Sequence, residues 1–141
     1  MITTNTYLRF DGNCRAAMTF YGKCLQAEPG FTPFSTVSDE LEVKAQATPD
    51  WIIHSELHSG PMILMASDTL PGMTYAKGNN FSISSSCETL AELERLFAAF
   101  SENGTVTMPL HIAFWGGHFG MLTDQFGINW MFSFREAGEH G

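Results

Sequence analysis

The feature of this sequence that most constrains its fold is a repeated order of secondary structure. Each half of the chain reads as one strand, one helix and three further strands, and the two copies are offset by roughly 75 residues. Four strands alone cannot enclose a compact cavity, whereas two such modules side by side can. We therefore predict an α+β fold in one domain spanning 1–141, with modules over about 4–72 and about 78–135. Their strands would form a curved eight-stranded sheet, with the helices on its outer face and a pocket on its concave face.

The first module opens with a strand over Thr4–Phe10, whose alternation places Tyr7 and Arg9 on the face opposite its apolar residues. Asp11-Gly12-Asn13 then supplies a turn and a helix N-cap, and the apolar spacing predicts a helix over Cys14–Leu25. The rest of this module is predicted as a strand, a mobile polar loop and two strands around a Ser59-Gly60 turn: Phe31–Val37, Ser38–Asp50, Trp51–His58 and Pro61–Ser67.

The second module begins with an alternating strand over Asn80–Ser86. A helix follows from about Thr89 to Asn103, and Gly104 closes it as a C-terminal cap. The last two strands form a hairpin around Asp124-Gln125-Phe126-Gly127, where the glycine can adopt a positive φ. The three final strands are predicted over Val106–Leu110, Phe119–Thr123 and Asn129–Phe134, and the predicted core residues of this module are Phe81, Ile83, Phe97 and Phe100.

Charge and hydropathy exclude two classes of partner. The net charge is −8 and the seven lysines and arginines are scattered singly, which argues against binding the phosphate backbone of nucleic acid. No window approaches the ~20 apolar residues of a membrane span, and the first residues lack the basic and apolar regions of a signal peptide. We therefore expect a cytoplasmic protein with no nucleic-acid or membrane partner. Cys14, Cys24 and Cys87 form no C-x-x-C pair and are expected to be reduced, structural thiols.

Several short motifs give the chain a family resemblance: Phe10-Asp11-Gly12-Asn13-Cys14, Met65-Ala66-Ser67-Asp68, Met108-Pro109-Leu110, Phe114-Trp115-Gly116, and Phe119-Gly120 leading to Thr123-Asp124. Together with the repeated strand order, they resemble the PhnB-like branch of the vicinal oxygen chelate superfamily, which includes glyoxalases, bleomycin-resistance proteins and dioxygenases. The resemblance implies paired βαβββ modules and a homodimer. The branch is sometimes labelled demethylubiquinone methyltransferase. We expect no binding of a methyl donor, because no glycine-rich turn follows a first strand in a doubly wound pattern.

Enzymes of this superfamily hold a divalent metal with His and Glu side chains from the first and last strands of both modules. Met131 stands about where a glyoxalase has its last Glu, and a thioether is a poor ligand for a hard cation. We therefore predict no metal and no cofactor at the usual site. The matching strands carry no His, Asp, Glu or Cys and present Asn5, Tyr7, Arg9, then Met62, Leu64, Ala66 or Ile63, Met65, Ser67, then Asn80, Ser82, Ser84, and finally Asn129, Met131, Ser133.

One cluster leaves metal or acid–base chemistry open. The even positions of the strand over Trp51–His58 share a face that would point into the cavity, and they are His54, Glu56 and His58, opposite Trp51, Ile53 and Leu57. His54 and His58 would lie roughly 13 Å apart, so the three cannot hold one ion together. His54 and Glu56 could hold a divalent metal with help from another strand. A general base, a hydrogen-bonded polar wall and an exposed edge strand are the alternatives.

Further candidate ligand-binding residues lie on neighbouring elements. Arg9, on an inward face beside Tyr7, either pairs with Glu56 or holds an anionic group of a ligand, because an unpaired buried guanidinium is costly. Trp115, with His111 and His118 nearby in sequence, either stacks on a planar ligand or packs in the dimer. The predicted ligand-binding set is Tyr7, Arg9, His54, Glu56, Ser82, Ser84, Trp115 and Met131, of which His54 and Glu56 are also the catalytic candidates.

These observations predict a cytoplasmic homodimer that binds a small organic molecule in the concave sheet without a metal. One alternative is a metal-dependent lyase or isomerase of glyoxalase type, or a dioxygenase, that uses His54 and Glu56. The other is a drug-sequestering protein of the bleomycin-resistance type, whose acidic surface would attract cationic ligands.

Overall fold

The computed structural model describes residues 1–36, 50–70 and 73–136. The chain divides into two compact units, Met1–Ala76 and Lys77–Gly141, and within the described ranges each contains one α-helix and one four-stranded sheet. In both sheets the first strand of the unit runs parallel to its fourth, and the other neighbours are antiparallel. The predicted α+β fold of two βαβββ modules is therefore confirmed. No helix within these ranges is long and apolar enough to cross a membrane.

In the first unit, one helix packs on one face of the sheet. The strands β1 (Thr6–Phe10), β2 (Gly30–Pro33), β3 (Ile52–Ser59) and β4 (Met62–Asp68) lie in the order β1-β4-β3-β2, and helix α1 covers Cys14–Leu25. Ala17, Met18 and Tyr21 recur at helical spacing and are fully buried where α1 meets β3 and β4. The opposite face is called the helix-free face of the first unit, and it carries Tyr7, Arg9, Ile53, His54, Glu56, His58, Ile63, Met65 and Ser67.

Strand β3 changes phase near its start, which corrects the predicted position of Ile53. Ile52 and Leu57 are buried in the core, whereas Ile53 is half-buried and borders a pocket on the helix-free face. The pairing of β3 with β2 shifts register between Thr32 and Pro33. An irregularity of this kind interrupts the strict alternation of side chains between the two faces. The prediction that Ile53 faces the core is therefore wrong.

The second strand of the first unit is shorter than predicted. It ends at Pro33, and a single 3-10 turn follows over Phe34–Thr36, where the strand was predicted to continue. Val37, the predicted end of the strand, lies outside the described residues. Proline has no backbone N–H and cannot donate to a strand ladder, so it commonly ends a strand. The mobile loop predicted over Ser38–Asp50 lies outside the described residues apart from Asp50.

A buried carboxylate ties the start of α1 to β3. Asp68, at the end of β4, is 3% exposed. Its Oδ1 accepts hydrogen bonds from the backbone N–H groups of Gly12 at 2.8 Å and Cys14 at 2.9 Å, and its Oδ2 accepts one from Ile52 at 2.9 Å. Asn13 occupies the N-cap position but makes no capping bond with its side chain. Asp68 therefore satisfies the free N–H groups at the start of the helix from a distant strand.

The second unit repeats the same arrangement. Its strands β5 (Ile83–Cys87), β6 (Thr105–Ile112), β7 (His118–Thr123) and β8 (Asn129–Phe134) lie in the order β5-β8-β7-β6, and helix α2 covers Leu90–Phe100. The predicted core residues Phe97 and Phe100 are buried. Phe100 contacts the rings of Trp130 and Phe132, with centroids 4.6 and 5.2 Å apart. This aromatic cluster fixes α2 on the sheet.

The first strand of the second unit starts later than predicted. β5 begins at Ile83, so Phe81 and Ser82 precede the sheet. Phe81 is 52% exposed, which contradicts its predicted place in the core, and Ile83 is half-buried. Phe81 and Ile83 alternate with polar residues as a strand would, but the hydrogen-bonded ladder between β5 and β8 begins only at Ile83, so the sheet does not bury Phe81.

The end of helix α2 also differs from the prediction. Ser101 follows the last helical residue, and the left-handed conformation that often ends a helix is adopted by Asn103, with φ 58°, rather than by Gly104. Asparagine tolerates this conformation better than most residues. A Cβ at Gly104 would instead collide with the backbone of Thr123 and Asp124, so glycine is needed there for close approach.

The β7–β8 hairpin has the predicted turn. Asp124 is 3% exposed, and its Oδ1 accepts hydrogen bonds from the backbone N–H groups of Phe126 at 2.8 Å and Ile128 at 3.1 Å. Its Oδ2 accepts one from the indole Nε1 of Trp130 at 2.9 Å. Gly127 has φ 88°, as the turn requires. One carboxylate thus joins the turn to the core.

Candidate functional site

The structure brings Tyr7, His54 and Glu56 together on the helix-free face of the first unit. Tyr7 pairs with Met65 across β1 and β4, and Met65 pairs with Glu56 across β4 and β3, so these residues lie in one row across the sheet. His54 precedes Glu56 by two positions, and the centroids of the Tyr7 and His54 rings are 5.8 Å apart. The alternation of β1 and β3 therefore assembles a polar group from two strands that are not adjacent.

A chain of hydrogen bonds links these side chains. The Tyr7 hydroxyl lies 3.2 Å from His54 Nδ1, and His54 Nε2 lies 3.2 Å from Glu56 Oε1. His58 Nε2 donates to Glu56 Oε2 at 2.7 Å. Because an ionised carboxylate only accepts, neutral His54 carries its proton on Nε2, which leaves Nδ1 to accept from the tyrosine hydroxyl. Both ring nitrogens of His54 are thus engaged, and Tyr7 is the 45% exposed end of the chain.

The two histidines control the ionisation of Glu56. The hydrogen bond from His58, followed by that from His54, holds the pKa of Glu56 below its ordinary value of 4.5. The Glu56 side chain is 43% exposed, and those of His54 and His58 are 41% and 58% exposed. Water screens charges at such a site, so the cluster orients polar groups more than it stabilises the fold.

Arg9 borders a pocket of about 250 Å³ on the same face, two residues after Tyr7. Within the described ranges the Arg9 guanidinium has no hydrogen bond or ion pair, and Glu56 is engaged by its two histidines instead. The predicted pairing of Arg9 with Glu56 is therefore not seen. The remaining lining residues are Ile53, Ser67, Asp68, Leu70 and Met73.

Sequence reasoning missed several groups around this pocket. Alternation along β3 predicts Ile53 on the other face, and Leu70 and Met73 follow β4, where no periodic pattern marks them. Tyr75 lies nearby, and its hydroxyl donates to the Arg9 carbonyl at 3.4 Å. Burial, with the charges of Asp11 and Asp68, raises the pKa of Tyr75 above its usual 10.0. The signal that points here is the motif Met65-Ala66-Ser67-Asp68, which ends at the pocket wall.

The positions that hold a divalent metal in the superfamily do not fit one in this chain. The described residues also contain no group of three His, Cys, Asp or Glu side chains arranged around one ion. In the cluster on β3, the Nε2 atoms of His54 and His58 both face the Glu56 carboxylate rather than a shared centre. The strands in question present only neutral or cationic side chains away from the helices: Tyr7, Arg9, Ile63, Met65, Ser67, Ser84, Ser86, Asn129, Met131 and Ser133.

The predicted site residues of the second unit are only partly brought together. Ser84 pairs directly with Met131 across β5 and β8, on the face away from α2. Ser82 precedes β5 and is exposed. Trp115 lies in the connection between β6 and β7, so no strand pairing fixes it beside the others.

The ring of Trp115 is covered by neighbours of its own unit. The Arg135 guanidinium lies 4.5 Å from the ring centroid, and Arg135 Nη2 donates to the Trp115 carbonyl at 3.2 Å. Phe119 meets the ring edge-on with centroids 6.4 Å apart, and a Cβ at Gly117 would collide with the ring. One face of the indole is therefore occupied by a cation, which limits stacking on a planar ligand.

Known proteins resemble this chain over nearly its full length. A family model described as 3-demethylubiquinone-9 3-methyltransferase matches residues 2–133. Protein YjdN of Escherichia coli (strain K12) is 29% identical over 133 residues, which are 89% of this chain and 90% of that protein. Protein PA1353 from Pseudomonas aeruginosa is 37% identical, and its crystal structure has a TM-score of 0.83 over 96% of this chain and 99% of that one. A PhnB protein from Bacillus cereus, at 24% identity, has the same fold, with a TM-score of 0.76 over 95% and 100% of the two chains.

Proposed function

The chain belongs to the 3-demethylubiquinone-9 3-methyltransferase family, in its PhnB-like branch with the glyoxalase fold, and we propose that it binds a small organic anion at the Arg9 pocket. Methyl transfer is not part of this proposal, because the β1–α1 connection is Asp11-Gly12-Asn13 and lacks the glycine-rich turn of a doubly wound nucleotide site. The binding surface is the helix-free face of the first unit, where Arg9 and Tyr7 are neighbours.

The observation that carries this proposal is the exposed Arg9 guanidinium at a largely apolar pocket. A guanidinium fork matches the two oxygens of a carboxylate or phosphonate in bidentate geometry. Ile53, Leu70 and Met73 offer apolar contacts to the rest of a ligand, and a volume of about 250 Å³ restricts that ligand to a small molecule. Because the chain has a net charge of −8, a single local cation is the feature that would select an anion.

Isothermal titration with benzoate, phenylphosphonate and pyruvate tests this assignment, with uncharged benzamide as the ligand control. We expect the unaltered chain to bind at least one of the three anions, and Arg9→Gln to bind it at least about tenfold more weakly. Lys23→Gln makes the same charge change at an exposed position of α1 and should leave the affinity unchanged. Binding of benzamide as tight as that of benzoate, unchanged affinity in Arg9→Gln, or no binding of any anion would each contradict the proposal.

A second candidate function, proton transfer, is favoured by the Tyr7–His54–Glu56 chain. Both nitrogens of His54 are occupied, so a proton would leave a bound ligand through the Tyr7 hydroxyl, with His54 taking up the tyrosine proton and Glu56 stabilising the imidazolium. His54 and Glu56 then act as positioning residues behind Tyr7. The ligand would be a carbonyl acid, whose carboxylate pairs with Arg9 and whose adjacent C–H bond is weakened by the carbonyl.

Hydrogen exchange of pyruvate separates this candidate from simple binding. In D₂O at pH 7, NMR would follow loss of the methyl C–H signal as deuterium from solvent replaces it. Catalysed exchange should disappear in Tyr7→Phe, fall in His54→Gln and persist in Lys23→Gln. Exchange no faster than in buffer, while pyruvate still binds, would leave anion binding as the function and remove proton transfer.

The arrangement of the side chains supports anion binding more than a metal-dependent enzyme or a drug-sequestering protein. The superfamily's metal positions offer no imidazole or carboxylate in the described strands, so a glyoxalase-type step has no ligand set to support it. A cationic drug would have to compete with His54 and His58 for Glu56. Titration with a cationic glycopeptide such as bleomycin should therefore give no heat, and binding of it with an affinity reduced in Glu56→Gln would favour sequestration instead.

We carry the predicted homodimer and cytoplasmic location forward as part of the proposal. They rest on the family resemblance and on the composition of the chain rather than on any contact between copies. Sedimentation equilibrium should give about 31 kDa, twice the 15.6 kDa of one chain. A mass of one chain at micromolar concentration would contradict the dimer.

A further inference from the structure

Three methionines form a row across the sheet of the second unit. Met108 pairs with Met121 across β6 and β7, and Met121 pairs with Met131 across β7 and β8. Met121 and Met131 are directly paired in an unbroken ladder, so their side chains point to the same face, with Cα atoms roughly 4.5–5.5 Å apart. Met108 lies opposite Met121 on edge strand β6, between two register shifts that interrupt the alternation of that strand. Met121 and Met131 are half-buried on the face away from α2, and Met108, the outer member of this methionine row, is 38% exposed.

The row presents several soft donors with no charged group among them. A thioether sulfur is a poor ligand for a hard divalent ion but a good one for Cu(I). Methionine is unbranched and has three rotatable side-chain bonds, so the outer sulfurs of the row can lean toward the sulfur of Met121. The next positions along β7 and β8 are Thr123 and Asn129, which are hydrogen-bonded to each other and add no cation that would repel a metal ion.

An imidazole lies beside the row with one nitrogen free to coordinate. His111 is paired with Phe119, two positions before Met121, which places it diagonally to the row at roughly 7–8 Å between Cα atoms. His111 Nδ1 lies 2.9 Å from the Pro109 carbonyl oxygen, so Nδ1 carries the proton and donates it. The lone pair of the neutral ring is then on Nε2. A backbone carbonyl that fixes the tautomer in this way is the usual support of a metal-ligating histidine.

We infer that Met108, Met121 and Met131 form a thioether site for one soft monovalent cation of the Cu(I) class, with His111 Nε2 as the adjoining imidazole donor. All four residues belong to the second unit, whereas the residues that line the Arg9 pocket belong to the first. The site uses Met131, the residue that makes the superfamily's hard-metal site unsuitable in this chain. The candidate ligands carry no charge, and the net charge of −8 of the chain favours a cation over an anion.

The thiols of the chain are the competing soft ligands, and their burial weakens that competition. Cys14 and Cys24 lie in the core, and Cys87 is 8% exposed. Burial, with the nearby Asp68 charge, raises the pKa of Cys14 to about 12. Burial, with Glu92, raises the pKa of Cys87 to about 11. These two thiols are therefore protonated at pH 7, whereas thioethers need lose no proton.

Methyl NMR with Ag(I) tests the site. Ag(I) is a redox-stable stand-in for Cu(I), and the buffer must be free of chloride. In protein carrying 13C at its eight methionine methyl groups, one equivalent of Ag(I) should shift the signals of Met108, Met121 and Met131 and leave the other methionine signals in place. Shifts confined to other methionines, or none while Ag(I) binds at a thiol, would overturn the inference and identify the row as an apolar wall.

Variants of the row provide the second readout. Met121→Leu keeps the apolar volume but removes the central sulfur, so the affinity for Ag(I) should fall at least about tenfold and the shifts of Met108 and Met131 should shrink. Met62→Leu, a half-buried methionine on β4, is the matched control and should bind as before. His111→Gln should weaken binding, and an unchanged affinity there would remove the imidazole. If Met121→Leu does not fold, Met108→Leu on edge strand β6 takes its place. Unchanged Ag(I) affinity in the folded variant contradicts the site.

Discussion

Two buried aspartates, Asp68 and Asp124, organise their surroundings by accepting hydrogen bonds from N–H groups. Asp68 accepts from three backbone N–H groups, and Asp124 accepts from two backbone N–H groups and from the Trp130 indole. A buried carboxylate is costly unless its oxygens are hydrogen-bonded, and N–H donors supply that compensation here. The side chains that look catalytic by residue type thus have structural roles at both positions.

Asp68→Asn should destabilise the fold by about 2–3 kcal/mol. An amide offers one acceptor oxygen and one donor nitrogen, so the N–H of Ile52, or those of Gly12 and Cys14, would face another donor. Urea unfolding at pH 7 measures the loss. Asp11→Asn makes the same charge change at an exposed position and should change the free energy of unfolding by less than about 0.5 kcal/mol. Equal effects of the two variants would mean that charge, and not the hydrogen bonds, matters at position 68.

Glu56 should titrate below its ordinary pKa, and His58→Gln should raise that pKa. The hydrogen bond from His58 is the largest cause of the lowering, and that from His54 is the second. Because the folded-state pKa is the lower one, the stability contributed by ionised Glu56 is fully present above 4.5 and is lost as pH falls through the folded value. Carboxyl 13C NMR between pH 2 and 7 reports the midpoint.

Tyr7→Phe is the matched control for this titration, because Tyr7 contacts His54 Nδ1 and not the carboxylate. It should move the Glu56 midpoint less than His58→Gln does. A midpoint that is unchanged in His58→Gln would show that the contact between His58 and Glu56 is not maintained in solution.

The two helices should differ in their dependence on a local cap. The Thr89 side chain accepts a hydrogen bond from the Glu92 N–H at 3.0 Å, whereas Asn13 makes no such bond and α1 is capped by Asp68. Thr89→Ala should therefore cost about 1 kcal/mol. Asn13→Ala should cost less than about 0.5 kcal/mol, since in the part of the chain that the structure describes its side chain bonds only the exposed N–H of Asp11. Thermal unfolding of both variants checks this, and equal losses would contradict the remote cap of α1.

Much of the element order could be predicted because the periodic signals are local. Helix α1 starts and ends where apolar spacing places it, at Cys14 and Leu25, and β8 has the predicted bounds. The alternation of Thr4–Phe10 also places Tyr7 and Arg9 on the correct face. These elements have clear apolar periodicity and turn residues at their ends, so their bounds could be predicted without knowledge of tertiary contacts.

The parts that could not be predicted depend on strand pairing. Ile53 lies on the helix-free face because the register of β3 with β2 shifts at Pro33, and no local pattern encodes a register shift. Phe81 and Ser82 read as strand, but the β5 ladder begins only at Ile83. Arg9 was a predicted ligand-binding residue, but other residues that line its pocket were not, because Ile53 is brought there by the register shift and Leu70 and Met73 lie in the segment after β4, which has no periodic pattern.

For the molecule as a whole, the three thiols should be protected until the chain unfolds. All three are buried, and the pKa values of Cys14 and Cys87 are raised to about 12 and about 11, so little thiolate is available at pH 8. Labelling with a chromogenic disulfide reagent should be slow in the native protein and immediate for three thiols in guanidinium chloride. Rapid native labelling of Cys87, the most exposed of them at 8%, would reveal local opening of the end of β5.

The repeated architecture gives each unit its own sheet and helix, and in each unit one face of the sheet is not covered by the helix. These two uncovered faces carry different side chains. The first carries Arg9 and the Tyr7–His54–Glu56 chain, and the second carries the methionine row. A shared backbone plan therefore fixes where side chains emerge, while the residues at those positions decide what each face can hold.

The wall formed by Asp68 has a practical consequence for changing the ligand range of the Arg9 pocket. This carboxylate lines the pocket and at the same time fastens the start of α1 and the start of β3. Ile53, Leu70 and Met73 also line the pocket, but their apolar side chains make no hydrogen bonds that hold other elements in place. A combinatorial library intended to bind bulkier ligands should vary those three positions and keep Asp68 constant. Substitutions of the aspartate would remove the hydrogen bonds that hold the start of α1, so many of those variants would be destabilised.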